Sequence, residues 1–433
     1  MAAVGPFEAS PHLAVAVSGG ADSMALCLLA HGWSTLRGGR VSALTVDHGL
    51  RPGSRSDVLQ VGKWLRGRGI EHTVLSWVGE KPATGIQEAA RSARYGLITQ
   101  WCVQSNVLHL LLGHHRQDQA ETVLMRQCRA SGLDGLAGMA SVVETAEVRR
   151  LRPLLNTPPA RLRAVLLAVG QPWIEDPSNS DPAYTRNRVR ALLPRLSEGD
   201  SAVSSVIANS ARMAQARMTL ARAASTLLAR CCQVYSCGYA RFDARAMAAA
   251  PPEVAARALG GLMATIGGRM YAPAPEKLER VFFQLIRENT VAGVTLGRCR
   301  LDRSGDRVLV CRESRGLPSP RLMEVDGPTH WDGRFLIDCV ASAGNGAGPV
   351  RLAALGASGV NQMGGAVERS PLCLHRVPRP ARLALPALAD DAGVLAVPHL
   401  DYQRPDVNEV PIRVKSICFQ PHHVLSGGSH YLA

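Results

Sequence analysis

Aromatic side chains and lysine are scarce in this sequence of 433 residues. Phe, Trp and Tyr together make up 4% of the chain, and only four of its 49 basic residues are lysine. So few rings do not suggest the aromatic platform on which single-stranded nucleic acids stack. The 11 cysteines include no Cys-x-x-Cys pair. We therefore expect them to be small core residues in a reduced compartment, and we do not expect these cysteines to hold a metal or an iron–sulfur cluster.

Long apolar runs are also missing. No stretch approaches the roughly 18 apolar residues that a membrane-spanning helix needs. The amino terminus has no basic segment ahead of an apolar one, so a secretory signal is not predicted. We expect a cytoplasmic protein without a membrane partner, and a chain of this length is typical of two or three domains.

Positive charge is in excess and unevenly distributed, with a formal net charge of +14. Residues 1–195 carry 22 basic and 15 acidic side chains, residues 196–312 carry 16 and 9, and residues 313–433 carry 11 of each. A GC-rich genome explains arginine in place of lysine, but it does not explain an excess of basic over acidic residues. The excess in the first two-thirds of the chain predicts a polyanionic partner, most simply a nucleic acid.

A short apolar run at Leu13–Val17 leads into the turn Ser18-Gly19-Gly20-Ala21-Asp22-Ser23 and then into helical spacing. Glycines allow the backbone to approach a ligand closely, and the first N–H groups of a helix point at an anion. An aspartate would repel phosphate unless it held a divalent cation, so Asp22 is a candidate metal ligand. Neither common nucleotide fingerprint, Gly-x-Gly-x-x-Gly or Gly-x4-Gly-Lys-Ser/Thr, is present here. An ordinary strand-to-helix turn with serine caps stays an alternative.

Short strands and helices alternate over residues 1–195. This pattern predicts an α/β fold with a parallel, Rossmann-like sheet that is covered by helices on both faces. Ser18, Asp47 and His114 fall at the carboxyl ends of predicted strands, where such sheets bind their ligands. The sequence therefore predicts one crevice that all three residues share.

The remaining chain predicts two smaller domains. Residues 196–314 indicate a mainly helical domain, with one helix over 197–235 and a β-hairpin of strands 294–301 and 307–311. Residues 322–433 contain short apolar stretches and many Gly and Pro residues. They predict a small β-rich domain without a clear helix.

Five further stretches carry polar side chains in characteristic spacings. They are Asp47-His48-Gly49-Leu50-Arg51, Gln87-Glu88-x-x-Arg91-x-x-Arg94-Tyr95, His114-His115-x-x-Asp118-Gln119-x-Glu121-Thr122, Asp176-Pro177-Ser178-Asn179 and Arg186-Asn187-x-x-Arg190. Together with the turn at Ser18–Ser23, and in this order, they resemble the tRNA(Ile)-lysidine synthase family of PP-loop ATP pyrophosphatases. The resemblance covers residues 10–195 and is looser beyond them.

The resemblance implies a two-step reaction. ATP with Mg2+ would activate the C2 oxygen of the wobble cytidine 34 in the CAU anticodon of an isoleucine tRNA, and pyrophosphate would leave. The ε-amine of free L-lysine would then attack C2 and release AMP, which gives lysidine. The chemistry needs charge neutralised at the α-phosphate and acidic groups that bind the lysine ammonium and accept a proton. The oligomeric state is left open, with a homodimer as one option.

The family's roles carry over to the matching positions. ATP binding is implied for Ser18, Gly19, Gly20, Ala21, Asp22 and Ser23, with the metal at Asp22. Lysine binding is implied for His114, Asp118 and Glu121. Arg94 and Arg186 would contact phosphate in the adenylated state. The implied catalytic residues are therefore Asp22, Arg94, Asp118, Glu121 and Arg186. The basic excess of the helical domain, 196–314, makes it the candidate for gripping the tRNA backbone, and we expect the C-terminal domain, 322–433, to be tRNA-related.

The residue types alone leave other interpretations open. Arg94 would also suit a surface charge, and Asp118 with Glu121 would suit a solvated helix face. Arg186 and Arg190 would equally grip tRNA phosphates. Either histidine of the His-His pair would suit a satisfied core position.

Three other functions are compatible with parts of the pattern. Another PP-loop tRNA enzyme, such as a 2-thiolation enzyme, usually needs paired reactive cysteines. A synthetase for a small molecule leaves the basic excess unexplained. A catalytically silent RNA-binding protein of this fold would not need the intact acids Asp22, Asp118 and Glu121.

Overall fold

The computed structural model describes residues 1–50, 53–79, 81–82, 84–129, 131–175, 185–193, 200–287, 293–323, 325, 327–341, 349–369, 377–405, 407, 412–425 and 429–430. The chain divides into two compact units, Met1–Thr219 with Gly428–Ala433, and Leu220–Gly427. The finer division into three domains, with boundaries near residues 195, 314 and 322, stays a prediction.

The first part of the chain alternates strands and helices. Its elements are β1 (His12–Ala16), α1 (Ala21–Thr35), β2 (Arg40–Asp47), α2 (Ser54–Arg66), β3 (Glu71–Ser76), α3 (Ile86–Gln104), β4 (His109–Leu111), α4 (Arg116–Gln127), α5 (Leu133–Leu136), β5 (Val142–Glu144), β6 (Arg149–Leu151), α6 (Pro159–Ala168), α7 (Thr185–Leu192) and α8 (Asp200–Cys231). Both α1 and α2 begin directly after a glycine and carry an aspartate, Asp22 or Asp57, in the first turn. A carboxylate at this end of a helix is stabilised by the helix dipole.

The later part of the chain is richer in strands. Its elements are β7 (Cys232–Tyr235), β8 (Tyr239–Asp243), α9 (Ala244–Ala249), α10 (Pro252–Gly267), α11 (Pro275–Phe282), β9 (Val294–Leu296), β10 (Cys299–Ser304), β11 (Arg307–Arg312), β12 (Arg321–Leu322), β13 (Thr329–Trp331), β14 (Phe335–Ala341), β15 (Arg351–Ala354), α12 (Gly356–Arg369), α13 (Arg379–Arg382), β16 (Pro386–Asp390), β17 (Gly393–Val397), β18 (Tyr402–Gln403), β19 (Ile412–Phe419) and β20 (Ser429–His430). All but β20 belong to the second unit.

The strands of the first unit form one sheet in the order β20-β5-β6-β4-β1-β2-β3. The central strands are parallel, with Leu13 of β1 opposite both Val41 of β2 and His109 of β4. The chain moves from β1 outward to β2 and β3, and then crosses back to β4 on the other side of β1. The strand order therefore reverses between β1 and β4, which is where open parallel sheets bind their ligands.

Helices cover both faces of this sheet, as predicted. Leu13 and Val15 of β1 pack in a core with Met24 of α1 and with residues of α2 and α6. Ala14 lies on the opposite face, in a core with Ile98 of α3. Side chains of a strand alternate between its two faces, so both faces of β1 need apolar residues. The uninterrupted apolar run of this strand is explained by burial on both sides.

The second unit contains three antiparallel sheets. Their strand orders are β7-β8-β11-β10-β9, β12-β15-β16-β17-β18 and β13-β14-β19. Helix α10 packs against the first of them, where Leu262 joins Phe242, Leu301 and Val310 in one core. The β-rich C-terminal region is thus confirmed, and the predicted hairpin is present as β10 and β11.

Three charged side chains are buried together in the second unit. Asp332 Oδ2 accepts hydrogen bonds from Arg312 Nε at 3.0 Å and from Arg334 Nε at 2.8 Å. All three side chains are 1% exposed or less. Burial lowers the pKa of Arg334 to about 10, which leaves the guanidinium charged at neutral pH. Asp332 therefore balances two buried cations at once.

The structure corrects three details of the predicted elements. The helix predicted over 197–235 ends at Cys231, because the next four residues pair with β8 and form β7. The strand predicted over 294–301 is interrupted by Gly297 and Arg298, both with positive φ, so that it becomes β9 and β10. The C-terminal region contains α12, where no clear helix was predicted. The glycines of α12 lower its helix propensity and hide its pattern.

Candidate active site

The glycine turn between β1 and α1 forms the base of the candidate site. Gly20 begins α1 without a side-chain cap. The backbone N–H of Ser18 donates to Ser23 Oγ at 3.1 Å, and Ser23 Oγ donates to Gly20 O at 3.0 Å. These bonds hold the turn against the start of the helix, whose first N–H groups have no intrahelical acceptor. The turn therefore has the shape of an anion-binding cradle.

Two glycines allow the backbone to come close at this turn. Gly19 has a φ of +88°, and a Cβ there would lie 2.8 Å from Val61 Cγ2 and 3.0 Å from Ile174 Cδ1. Gly113, which follows β4, passes so near to α1 that a Cβ would lie 3.2 Å from Ser23 Cα. The ends of β1 and β4 are therefore held close together where the strand order reverses.

His115 connects the turn to the acidic residues of α4. Its Nδ1 accepts hydrogen bonds from the backbone N–H groups of Gln117 and Asp118 at 3.2 and 3.4 Å, and these bonds cap α4. Its Nε2 lies 3.4 Å from Asp22 Oδ2. Burial disfavours the charged ring, but the hydrogen bond to Asp22 and the nearby carboxylates of Asp118 and Glu121 outweigh it and raise the pKa of His115. His115 is therefore the link between the two halves of the site.

Asp118 and Glu121 lie on one face of α4 and bind two arginines of α7. Arg186 donates from Nη2 to Asp118 Oδ1 at 2.8 Å and from Nε to Glu121 Oε2 at 2.6 Å. Arg190 donates from Nε to Glu121 Oε1 at 2.7 Å. The Glu121 side chain is fully buried, whereas the two arginines are 36% and 34% exposed. The structure thus brings three of the predicted site residues into direct contact, and His115 joins them to a fourth, Asp22.

Arg94 lies apart from these contacts. It is exposed on α3, with Nε and Nη2 at 3.3 and 3.2 Å from His48 Nε2. Asp47 shapes the neighbouring loop, because its Oδ1 accepts hydrogen bonds from the Gly49 N–H and the Ser54 hydroxyl. No described hydrogen bond or ion pair joins Arg94 to the glycine turn. The stretch Asp176-Pro177-Ser178-Asn179 lies outside the described residues, as does Arg51.

His114 differs from its neighbour. Its Nδ1 is buried and has no hydrogen-bond partner within the described part of the chain. Burial, followed by the positive charges of Arg152, Arg186 and Arg91, lowers the pKa of His114 to about 3. The ring is therefore neutral throughout the physiological pH range.

This neutral ring predicts how stability depends on pH. The unfolded chain binds a proton at His114 below the ordinary pKa of 6.5, but the folded chain does not do so until about pH 3. Protons then favour the unfolded state, so the free energy of unfolding falls on acidification by up to about 1.4 kcal/mol per pH unit. We expect the free energy of unfolding of His114→Gln, measured by urea titration, to fall less steeply between about pH 6.5 and pH 5 than that of the unmodified chain. Above about pH 7, the two proteins should show the same dependence on pH. If the free energy of unfolding of both proteins fell equally steeply between about pH 6.5 and pH 5, His114 would not be a neutral buried group.

Several cysteines are small core residues, as expected. Cys27, Cys102 and Cys299 are fully buried. Burial raises the pKa of each of these thiols to about 12. A high pKa is the opposite of what a reactive thiolate requires.

Two functional candidates were not singled out from the sequence. His115 was not distinguished from His114, and Arg152 was not considered. Its position in the sequence could have identified Arg152, because it directly follows the carboxyl end of β6. Parallel sheets bind their ligands at such ends, which is the reason that Ser18 and Asp47 were chosen.

Known proteins are similar to this chain in sequence. A family model described as a PP-loop domain matches residues 2–196. A tRNA(Ile)-lysidine synthase of Bradyrhizobium sp. strain BTAi1 is 44% identical over 303 residues, which cover 67% of this chain and 84% of that protein. Another, of Wolbachia sp. subsp. Brugia malayi, is 30% identical over 422 residues, or 96% of this chain and 95% of that protein. The chain belongs to the tRNA(Ile)-lysidine synthase family.

Membership of the lysidine synthase family confirms the predicted family, the α/β PP-loop fold and the enzyme class, a ligase. A further lysidine synthase, of Mesorhizobium japonicum, is 36% identical over 387 residues, which cover 88% of this chain and 83% of that protein. These matches extend well beyond the PP-loop domain, into the second unit. Among the described residues, no helix has the length and apolar character needed to cross a membrane.

Proposed function

We propose that this lysidine synthase ligates free L-lysine to C2 of cytidine 34 in the CAU anticodon of an isoleucine tRNA, while ATP is cleaved to AMP and pyrophosphate. One observation carries the proposal: a continuous set of contacts runs from the turn at Ser18–Ser23 through His115 to Asp118 and Glu121. One end of this set suits a triphosphate and the other suits an ammonium group. A reaction that joins an adenylated base to an amine needs both in one crevice.

In the first step, the C2 oxygen of the cytidine attacks the α-phosphorus of ATP, and pyrophosphate leaves. The turn supplies the N–H groups of the first residues of α1 and the hydroxyls of Ser18 and Ser23 as donors to phosphate oxygens. Gly19 permits this close approach because a side chain there would collide with Val61 and Ile174. Arg94 is assigned to phosphate in the adenylated state.

Mg2+ fits the donors at the turn. Nucleotide sites usually hold this ion with one or two carboxylates together with phosphate oxygens and water. Asp22 offers one carboxylate in the first turn of α1, and its side chain is 38% exposed. Within the described ranges, no group of three acidic, His or Cys side chains offers a site independent of phosphate. We therefore assign the ion to Asp22, where it would neutralise phosphate charge.

In the second step, the ε-amine of lysine attacks C2. The new N–C bond forms as the bond between C2 and the oxygen of AMP breaks. The amine is charged in solution and must first lose a proton. Asp118 and Glu121 supply carboxylates that bind the ammonium and accept this proton. His114, on which the charges of Arg186 and His115 act, stays neutral, so it does not add a repelling positive charge.

The charge of the chain supports tRNA as the partner. The long helix α8 contains four arginines and only one acidic residue, and Arg222 and Arg230 are exposed on it. Arginines of this kind bind phosphates and position a nucleic acid without reading its bases. We assign the main tRNA grip to residues 196–314, with the C-terminal region as a further contact, and we place the enzyme in the cytoplasm.

A lysine-incorporation assay tests the proposed function. The full chain is mixed with ATP, Mg2+, radiolabelled lysine and tRNA transcripts that differ only in the anticodon. Label should enter the transcript with CAU and no other, with AMP and pyrophosphate formed in equal amounts. Sulfur transfer, or binding of tRNA without any label, would contradict the proposal.

Asp118→Asn should separate the two steps. We expect lysine transfer to fall about a hundredfold, because a carboxylate that binds and deprotonates the substrate is lost. The amide keeps the shape of the side chain, so pyrophosphate release should change only a few-fold. The two rates are measured by single-turnover assays, with Glu147→Gln, an exposed acid of the same unit, as the matched control. Equal loss of both steps would count against the lysine role of Asp118.

A further inference from the structure

Three arginines of the first unit lie around one tyrosine ring. The guanidinium carbon of Arg150 lies 4.9 Å from the centroid of the Tyr95 ring, and that of Arg91 lies 5.2 Å from it. Arg152 is half-buried, and its Nη1 donates to Ala140 O at 2.7 Å. Burial and the charges of Arg91 and Arg150 lower the pKa of Arg152, although Tyr95 opposes them. The three guanidinium groups therefore influence one another.

This cluster lies at the carboxyl end of β6. Alternate residues of a strand point to the same face, so Arg150 and Arg152 share one face and Leu151 points to the other. Leu151 packs with residues of α1 and α6 on one face of the sheet. Tyr95 packs with Ile98 of α3 on the other face. His114, at the end of β4, is also affected by the charge of Arg152. The cluster thus adjoins the candidate active site on the side of α3.

No described carboxylate balances this charge. The arginines of α7 form ion pairs with the acids of α4, but none of the three arginines around Tyr95 forms one with a described residue. The Nε atoms of Arg150 and Arg152 and the Nδ1 atom of His114 are buried without a hydrogen-bond partner in the described chain. Like charges held together in this way repel unless an anion binds. The cluster has both the charge and the unused nitrogen atoms of an anion site.

We propose that Arg91, Arg150 and Arg152 bind a backbone phosphate of the tRNA strand that carries the reacting cytidine. The inference rests on the proposed function. The phosphates of ATP are assigned to the turn after β1, and β4 separates β6 from β1. Neighbouring strands lie about 4.8 Å apart, so the strand that carries Arg150 lies about 10 Å from the strand that leads into that turn. A polynucleotide supplies a second anion at this distance, and guanidinium groups bind phosphate through paired hydrogen bonds.

Salt-dependent binding of a CAU-anticodon transcript tests this site. Arg91→Gln and Arg150→Gln, singly and together, should each weaken tRNA binding about tenfold and lower the slope of log affinity against log salt by about one. The KM for ATP should stay within twofold. Arg37→Gln is the matched control. Arg37 lies between the end of α1 and the start of β2, at the amino ends of the parallel strands, so its substitution should change neither quantity.

Two outcomes would overturn the proposal. If the salt slope of tRNA binding is unchanged in the double variant, no tRNA phosphate binds at these arginines. If only the KM for ATP rises, the arginines bind ATP and not the tRNA. Arg91 is exposed on α3, so Arg91→Gln can be tested even if the variant of the half-buried Arg150 folds poorly. Arg150→Lys should restore part of the salt slope. Failure of the unmodified chain to incorporate lysine would refute the proposed function. The salt dependence of tRNA binding would still decide whether these arginines bind a tRNA phosphate.

Discussion

Replacing Asp22 with asparagine is expected to slow pyrophosphate release from ATP by at least about a hundredfold, the usual loss when a charged group that stabilises a transition state is removed. Asparagine has almost the same shape, so the turn and the start of α1 should keep their geometry. The lost charge removes the carboxylate assigned to Mg2+ and the partner of His115 Nε2. Both losses act on the step in which negative charge builds up on phosphate.

The measurement is release of pyrophosphate in single turnover, with saturating ATP and tRNA. Asp57→Asn is the matched control, because Asp57 occupies the first turn of α2 just as Asp22 occupies the first turn of α1. Loss of a carboxylate at the start of a helix typically costs about 0.3–1 kcal/mol of stability. The control shows the effect of removing such a carboxylate from a helix other than α1. If Asp22→Asn releases pyrophosphate as fast as the unmodified chain, Asp22 is not the ligand of Mg2+.

The largest effect on stability is expected from Asp332→Asn. Breaking a buried ion pair by neutralising one partner typically costs about 3–5 kcal/mol, because the other charge stays buried without compensation. Here one carboxylate balances both Arg312 and Arg334. Asn tolerates the left-handed conformation that Asp332 adopts, at a φ of +52°, so backbone strain is not added. We expect a loss of at least about 3 kcal/mol.

Hydrogen exchange by mass spectrometry would localise this loss. Peptides from β13, β14 and β19 should exchange faster in Asp332→Asn, while peptides from β1 and β2 in the first unit should not change. Asp338→Asn is the control: its carboxylate pairs at 3.2 Å with Lys415, whose side chain is 66% exposed. Such surface pairs contribute less than about 1 kcal/mol, so similar effects in the two variants would contradict the role of Asp332.

Local patterns were enough to predict the start of the first unit, but not the pairing of the C-terminal strand β20 with β5. The apolar run of β1, the glycines after it and the helical spacing of α1 all depend on neighbours within a few residues. The family motifs then located Asp118 and Glu121 near Asp22, and the fold brings them within reach of one histidine. That the strand-end residues Ser18, Asp47 and His114 share one crevice stays a prediction; the hydrogen bonds given for Asp47 join it to its own loop.

Contacts between distant parts of the chain were not predictable in the same way. Arg186 contacts Asp118 across 68 positions of sequence, and which partner it chooses depends on how α7 packs on α4. Two adjacent histidines look equivalent in a sequence. The structure separates them because His115 caps α4, whereas His114 lies beside arginines and stays neutral. The β7 strand was missed for a related reason, since only its pairing with β8 distinguishes it from the end of α8.

Under the proposed function, the ammonium group of lysine binds Glu121 only by replacing the guanidinium group of Arg186 or Arg190. The two cations carry equal charge. The binding free energy gained at Glu121 is therefore only the difference between the ammonium–carboxylate pair and the guanidinium–carboxylate pair that it replaces. Arg186 and Arg190 stand one helical turn apart on α7, so a single displacement of that helix would free both acids together. Selection among competing amines would then depend on the length and shape of the incoming side chain, because charge alone does not discriminate between them.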